Sequence, residues 1–187
     1  MSLEALSGQP FELLLELERR AQAAVAEREG RGGQGDEWVG VGFRLGSERF
    51  VAERSDVREI LPLPETVVRV PGARPWLRGV ANVRGQLLTV VDLKAFLGGG
   101  LSMPDRRARV MVAASREVPT GLMVDEVTGF RRFAKRDFRE ETPATVIPCD
   151  DYLKGMYRDG PEAWPRFDLL KLLEDQRFLS AGEATEA

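Results

Sequence analysis

The chain contains no histidine and a single cysteine, Cys149. Without histidine there are no Ser-His or Cys-His nucleophilic pairs, no histidine phosphorelay and no imidazole-ligated metal. One cysteine excludes an internal disulfide, a CxxC motif and a four-cysteine zinc site. No window approaches 18 consecutive apolar residues, so no helix is expected to enter a bilayer. The first residues, Met-Ser-Leu-Glu-Ala-Leu-Ser-Gly, lack the basic region and long apolar stretch of a secretion signal, so a cytoplasmic location is expected. Lysine is scarce: four stand against 23 arginines, and those arginines are scattered among acids with no basic block. With a net charge of −3, nothing pulls the chain towards nucleic acid or an anionic membrane.

What is present is an ordinary soluble mixture over 187 residues, 43% hydrophobic and 30% charged, enough for one domain or two small lobes with a common core. A helix is expected from Pro10 to about Glu29, with Leu14, Leu17, Ala21 and Ala24 at helical spacing. It reads either as an appendage packed on its own domain or as a partner-binding helix. Four glycines between Gly30 and Gly35 then form a flexible joint. Neither this run nor Gly98-Gly99-Gly100 continues into Gly-Lys-Ser/Thr. The final glycine of Gly40-Val41-Gly42-Phe43-Arg44-Leu45-Gly46 comes one residue too late for a dinucleotide fingerprint. No cofactor and no metal site are expected.

From Trp38 the texture is that of short strands. Val39, Val41, Phe43 and Leu45 alternate with Gly40, Gly42 and Arg44, and Gly46-Ser47 turns the chain back through Arg49 to Glu53. Strands are expected at Val57–Leu61 and Thr66–Val70, closed by prolines that cannot donate to a ladder. A short helical turn is expected at Pro75–Gly79. Next come strands at Val80–Val83 and Gln86–Val91, the second apolar enough to be buried on both faces. Asp92 is placed to cap a brief helix, Leu93–Leu97, that Gly98 ends. Further strands are expected at Arg109–Ala113, Gly121–Val124 and Val127–Phe133, then a loop-rich stretch over 134–163. The chain recovers at Trp164–Phe167 before a helix beginning near Asp168 and a disordered tail, 180–187. Short strands at this spacing, in two groups, point to small barrels.

The stretch Val80-Ala81-Asn82-Val83-Arg84-Gly85-Gln86-Leu87-Leu88-Thr89-Val90-Val91-Asp92-Leu93 resembles the CheW family of chemotaxis coupling proteins, whose hallmark is an Asn-x-Arg-Gly turn before a strand ending in Val-Asp-Leu. Phe43–Gly46, Phe50–Ala52, Val57–Leu61, Pro75–Gly79, Gly121–Val127 and Tyr152–Met156 match further motifs in the same order, so the resemblance covers about 37 to 175. Thr89 departs from it, standing where the family usually has proline. The Phe11-Glu12-Leu13-Leu14 helix and Asp175-Gln176-Arg177-Phe178-Leu179 resemble the PilI-type adaptors of type IV pilus twitching motility more than the ordinary flagellar scaffold.

The resemblance implies a mainly β fold: two five-stranded SH3-like barrels that have a common core and a groove between them, plus N- and C-terminal helices. It implies an N-terminal helix and joint over 1–36, a CheW-like domain over 37–179 and a tail. It implies a non-enzymatic adaptor that holds the helical tip of a chemoreceptor and the regulatory domain of a CheA-type histidine kinase. Val57 and Glu59, two apart and hence expected on one strand face, match family positions of receptor contact, and Val57 reads equally as an ordinary core valine. Arg78 is either a solvated side chain or an exposed contact. Arg84 is either a solvated turn residue or a guanidinium that grips a partner carboxylate. Asn82 is expected to tie its side chain to the turn backbone, beside those contacts.

Two rivals belong to other classes. Carboxylate catalysis would need Asp125-Glu126 or Asp150-Asp151, but neighbours in a strand point to opposite faces. An RNA-binding small barrel would need a basic surface with stacking aromatics, and the net charge disfavours it.

Overall fold

The computed structural model describes residues 36–114 and 119–181. The expected helix from Pro10 to Glu29 and the glycine joint lie outside them, as do residues 182–187 of the tail. Strands β1 (Glu37–Leu45) and β2 (Glu48–Glu53) form the opening hairpin, followed by β3 (Val57–Pro62), β4 (Leu77–Val83) and β5 (Gln86–Asp92). After helix α1 (Leu93–Phe96) come β6 (Arg109–Ala113), β7 (Thr120–Val124), β8 (Glu126–Ala134) and the two-residue β9 (Phe138–Arg139). Strands β10 (Leu153–Asp159) and β11 (Glu162–Phe167) lead into helices α2 (Leu169–Leu173) and α3 (Gln176–Leu179).

These strands make two sheets, β8-β1-β2-β11-β10-β9 and β3-β6-β7-β5-β4. The mainly β, two-lobed architecture is therefore as expected, with β9 as a sixth strand in the first sheet. Both sheets contain a parallel pairing, β2 with β11 and β5 with β7.

Three apolar cores follow from the alternation along the strands. The largest draws Phe43, Phe50 and Phe167 from the first sheet and Val91, Met111 and Leu122 from the second, so the lobes have a common interior. The second sheet has a smaller core of Leu61, Ala81, Leu88, Val90, Val110 and Met123. The first keeps an aromatic core of its own, Trp38, Val51, Phe133, Tyr157 and Trp164. Both faces of β1 are therefore covered. Gly40 lies so close beneath Trp38 and Val51 that a Cβ there would come within 2.5 Å of both. Glycine is needed here for space.

Four expectations change. Thr66–Val70 is not a strand; only Val68 bridges to Val80, because prolines at 62, 64 and 71 break the ladder on either side. Pro75–Gly79 is not helical. A turn closed by Leu77 N–H donating to the Arg74 carbonyl (2.9 Å) passes straight into β4, which pairs with β5 from Leu77 onward. Strand β5 is not buried on both faces, since Leu87 is 68% exposed. Strand β10 lies inside the stretch expected to be loop: Gly155 and the flanking Lys154 and Arg158 leave no apolar alternation to read, although Met156 and Tyr157 are buried.

Asp168 and Asp175 cap α2 and α3 through their side chains. Helix α3 then seats Phe178 against Trp76, stacked at 5.8 Å, and edge-on to Phe96 at 5.2 Å. Ser180 and Ala181, expected in the tail, are still docked, and the Ala181 carbonyl accepts from Arg74 N–H at 3.0 Å. Tyr152 O–H donates to Asp175, and Arg177 donates to both. Arg177, then Tyr152, holds the Asp175 carboxyl down at about 2 from a usual 3.8. Burial, then the bond to Asp175, pushes Tyr152 up from 10 to about 12.

The signs differ. A depressed carboxylate favours the folded state above 3.8, and that contribution fades as pH falls from there towards 2. A raised phenol favours it below 10, and that contribution fades as pH rises from 10 to 12. Melting temperature against pH should decline in both windows, and Asp175→Asn should flatten the acid one. An unchanged acid limb would show that this carboxylate is not what holds α3.

Candidate partner-docking site

The β4–β5 turn has two central residues, Arg84 (φ 52°) and Gly85 (φ 82°), both in the left-handed region. That is the pattern of a tight hairpin turn whose twist matches its strands. Asn82 Oδ1 accepts from Gly85 N–H at 2.9 Å, the tie to the turn backbone expected of it. Arg84 is the one non-glycine residue with positive φ among those described. A left-handed conformation costs an L-residue roughly 1–2 kcal/mol.

Its guanidinium donates to Glu59 Oε2 at 3.1 Å, across from β3, yet the Arg84 side chain is 78% exposed. An exposed pair of this kind returns roughly 0–1 kcal/mol. Arg84→Asn should therefore raise stability by about 0.5–1 kcal/mol, read as a higher denaturant midpoint, because asparagine tolerates this backbone better. A lower midpoint would mean that the ion pair outweighs the strain. Arginine is locally the poorer choice here, and strain held at an exposed position points to function.

Cavities flank the pair. One of about 300 Å³ lies between Glu59, Leu61, Arg84, Leu87 and Leu88. A second, about 650 Å³, runs from Asn82 and Arg84 beneath Pro62–Thr66 to Val68. A third, about 490 Å³, holds Arg78 together with Arg69 and Arg74 among Leu63, Val70 and Leu77. Glu59, Asn82 and Arg84 thus come together, and Arg78 lies farther along the same lobe.

Val57 does not join them. Between Val57 and Glu59 the pairing of β3 with β6 slips, so that Val57 faces Ala113 and Glu59 faces Val112. The extra residue of this bulge reverses the alternation. Val57 is 5% exposed and packs into the common core, while Glu59 turns to the Arg84 side. The two do not lie on one face.

The Asp125-Glu126 pair is tied into the fold. Asp125 lies in the bend between β7 and β8 rather than in a strand, so it and Glu126 converge after all, but on Arg44: Arg44 Nε donates to Glu126 at 3.1 Å and Nη1 lies 3.8 Å from Asp125. Asp125 also accepts from Gly46 N–H at 2.6 Å, fastening the β1–β2 turn. Cys149 is a free, buried thiol, and burial pushes its pKa up, away from reactivity. Among the described residues no cluster of metal-ligating side chains occurs, and no helix is long and apolar enough to cross a membrane.

Sequence reasoning missed the exposed apolar side chains beside the site, Leu87 and Val68, the latter 61% exposed. It also missed Phe130 on β8, 62% exposed beneath the Arg54 guanidinium at 5.5 Å. Hydrophobicity alone does not tell a surface leucine from a core one.

Residues 39–177 match the family model of the CheW-like domain. Protein PilI of Pseudomonas aeruginosa is 36% identical over 171 residues, which is 91% of this chain and 94% of that protein. The chemotaxis protein CheW of Klebsiella aerogenes is 25% identical over 73% of this chain and 81% of its own. Among solved structures, the scaffolding protein TtCheW from Thermoanaerobacter tengcongensis aligns at a TM-score of 0.64 and 21% identity, covering 79% of this chain and 97% of that one.

Proposed function

Because the chain belongs to the family of the CheW-like domain, we propose that it is a non-enzymatic adaptor coupling the cytoplasmic tip of a chemoreceptor to the regulatory domain of a CheA-type histidine kinase. The pathway proposed is the control of type IV pilus twitching motility, supported by likeness to PilI along nearly the whole chain. The observation that carries the reading is the strained, exposed Arg84, held towards Glu59 between two cavities. A guanidinium released from one carboxylate is ready to grip another in bidentate fashion, while Leu87 and Val68 supply apolar area around it. Such a role requires surfaces that fit and hold their partners, with no bond made or broken. In this reading residues 37–179 carry both contacts, and Arg78 belongs to the same docking face.

The test is an affinity purification of the tagged chain from its native cytoplasm, with the co-purifying proteins identified. A chemoreceptor and a histidine kinase recovered together are expected, with pilus-motility proteins among them. Recovery of flagellar components would move the pathway while leaving the adaptor role. Recovery of neither partner would overturn the reading.

A further inference from the structure

The loop between α1 and β6 displays an apolar ridge, bordered on one side by the hollow that holds Arg78. Its centre is Ser102, which is 5% exposed and fastened to the fully buried Asp92. Ser102 N–H donates to Asp92 Oδ2 at 2.9 Å, and Ser102 Oγ donates to Oδ1 at 2.8 Å. The residues on either side point outward: Leu101 is 59% exposed and Met103 93%. An apolar pair displayed from a buried, doubly bonded pivot has its backbone fixed in advance, so little backbone entropy is lost when it docks. Methionine adapts its shape to irregular partners and is favoured on binding surfaces.

The ridge separates two hollows. Leu101 and Met103 line one of about 360 Å³ with Arg44, Lys94 and Arg107. Leu101 also lines the cavity of about 490 Å³ that holds Arg69, Arg74 and Arg78. Six basic side chains thus surround the ridge against four acidic ones, Glu65, Asp105, Asp125 and Glu126, still a local excess of positive charge in a chain whose net charge is −3. Arg107 is held by Asp105 and Glu126, and Arg44 by Asp125 and Glu126. Lys94, Arg69 and Arg78 have no ion-pair partner among the described residues.

We infer that this ridge docks an acidic amphipathic helix of a partner protein. Its apolar side chains enter the hollows on either side of Leu101, and its carboxylates meet Lys94 and Arg69. Charge complementarity selects the acidic partner, and helical spacing lets successive apolar residues straddle a ridge one side chain wide. Two discrete hollows favour a protein over a lipid surface, which presents no side chains to fill them. The inference does not depend on the role proposed for Arg84.

The experiment uses the full chain labelled at the methionine methyl groups, titrated with a synthetic helical peptide of Glu, Leu and Ala. The Met103 methyl signal should shift and saturate. Met103→Ser and Lys94→Glu should each weaken binding at least about tenfold. Ser102→Ala, which keeps the ridge's apolar area and charge but loses one of the two hydrogen bonds that pin it, should weaken it less. Unchanged thermal melts would show that the variants fold. A peptide with Lys in place of Glu, and phosphatidylglycerol vesicles, are the controls. No Met103 shift, equal binding of the lysine peptide, or preference for the vesicles would each overturn the inference.

Discussion

Phe167→Ala is expected to lower stability by roughly 3–5 kcal/mol, the range for deleting a buried aromatic ring. Phe167 is 1% exposed and meets Phe43 and Phe50 edge-on at 6.0 and 6.1 Å, while Tyr152 stacks on it at 5.8 Å. Its backbone pairs with Ala52 in the parallel ladder of β11 with β2, and the next residue, Asp168, caps α2. Removing the ring opens a cavity in the core common to both lobes and loosens the start of the C-terminal helices. A melting temperature lower by about 10 °C or more is the expected reading. A fall of only a degree or two would mean that the two lobes do not depend on this core.

Arg84→Glu should act on the other side of the balance, with little loss of stability and a large loss of binding. The side chain is exposed, so the fold has little to lose, but two carboxylates would then face each other where the 3.1 Å ion pair stood. Affinity for the kinase regulatory domain should fall at least about tenfold, or about 1.4 kcal/mol. The double variant Glu59→Arg with Arg84→Glu separates two explanations. If Arg84 only steadies β3 against the turn, exchanging the charges restores the pair and restores binding. If Arg84 grips the partner, binding stays low. A single variant that binds normally, measured by titration calorimetry on folded protein, would remove Arg84 from the account.

What the sequence disclosed was mostly local. The β1–β2 and β4–β5 hairpins, the Asn82 tie and the Asp92 cap each depend on residues within a few positions, and all are in the structure. What stayed hidden depends on partners distant in the chain. The slip between β3 and β6 that turns Val57 inward appears only when the two strands are laid side by side. Pro75–Gly79 has the composition of a turn of helix, but pairing with β5 draws it into β4. Asp125 and Glu126 were expected to diverge by strand alternation, yet the bend at Asp125 lets both reach Arg44. Exposure was the least legible property. Leu87 and Leu88 are the same residue type on one strand, and only the covering of β5 by its neighbours makes one 68% exposed and the other 3%.

The proposed role of this chain is to join receptor to kinase. Its most direct measurement is the autophosphorylation rate of the histidine kinase reconstituted with the receptor's cytoplasmic fragment, with and without the chain. Receptor control of the rate should appear only when the chain is added, and should be absent when the Arg84→Glu variant replaces it. Receptor control that is the same without the chain would contradict the account.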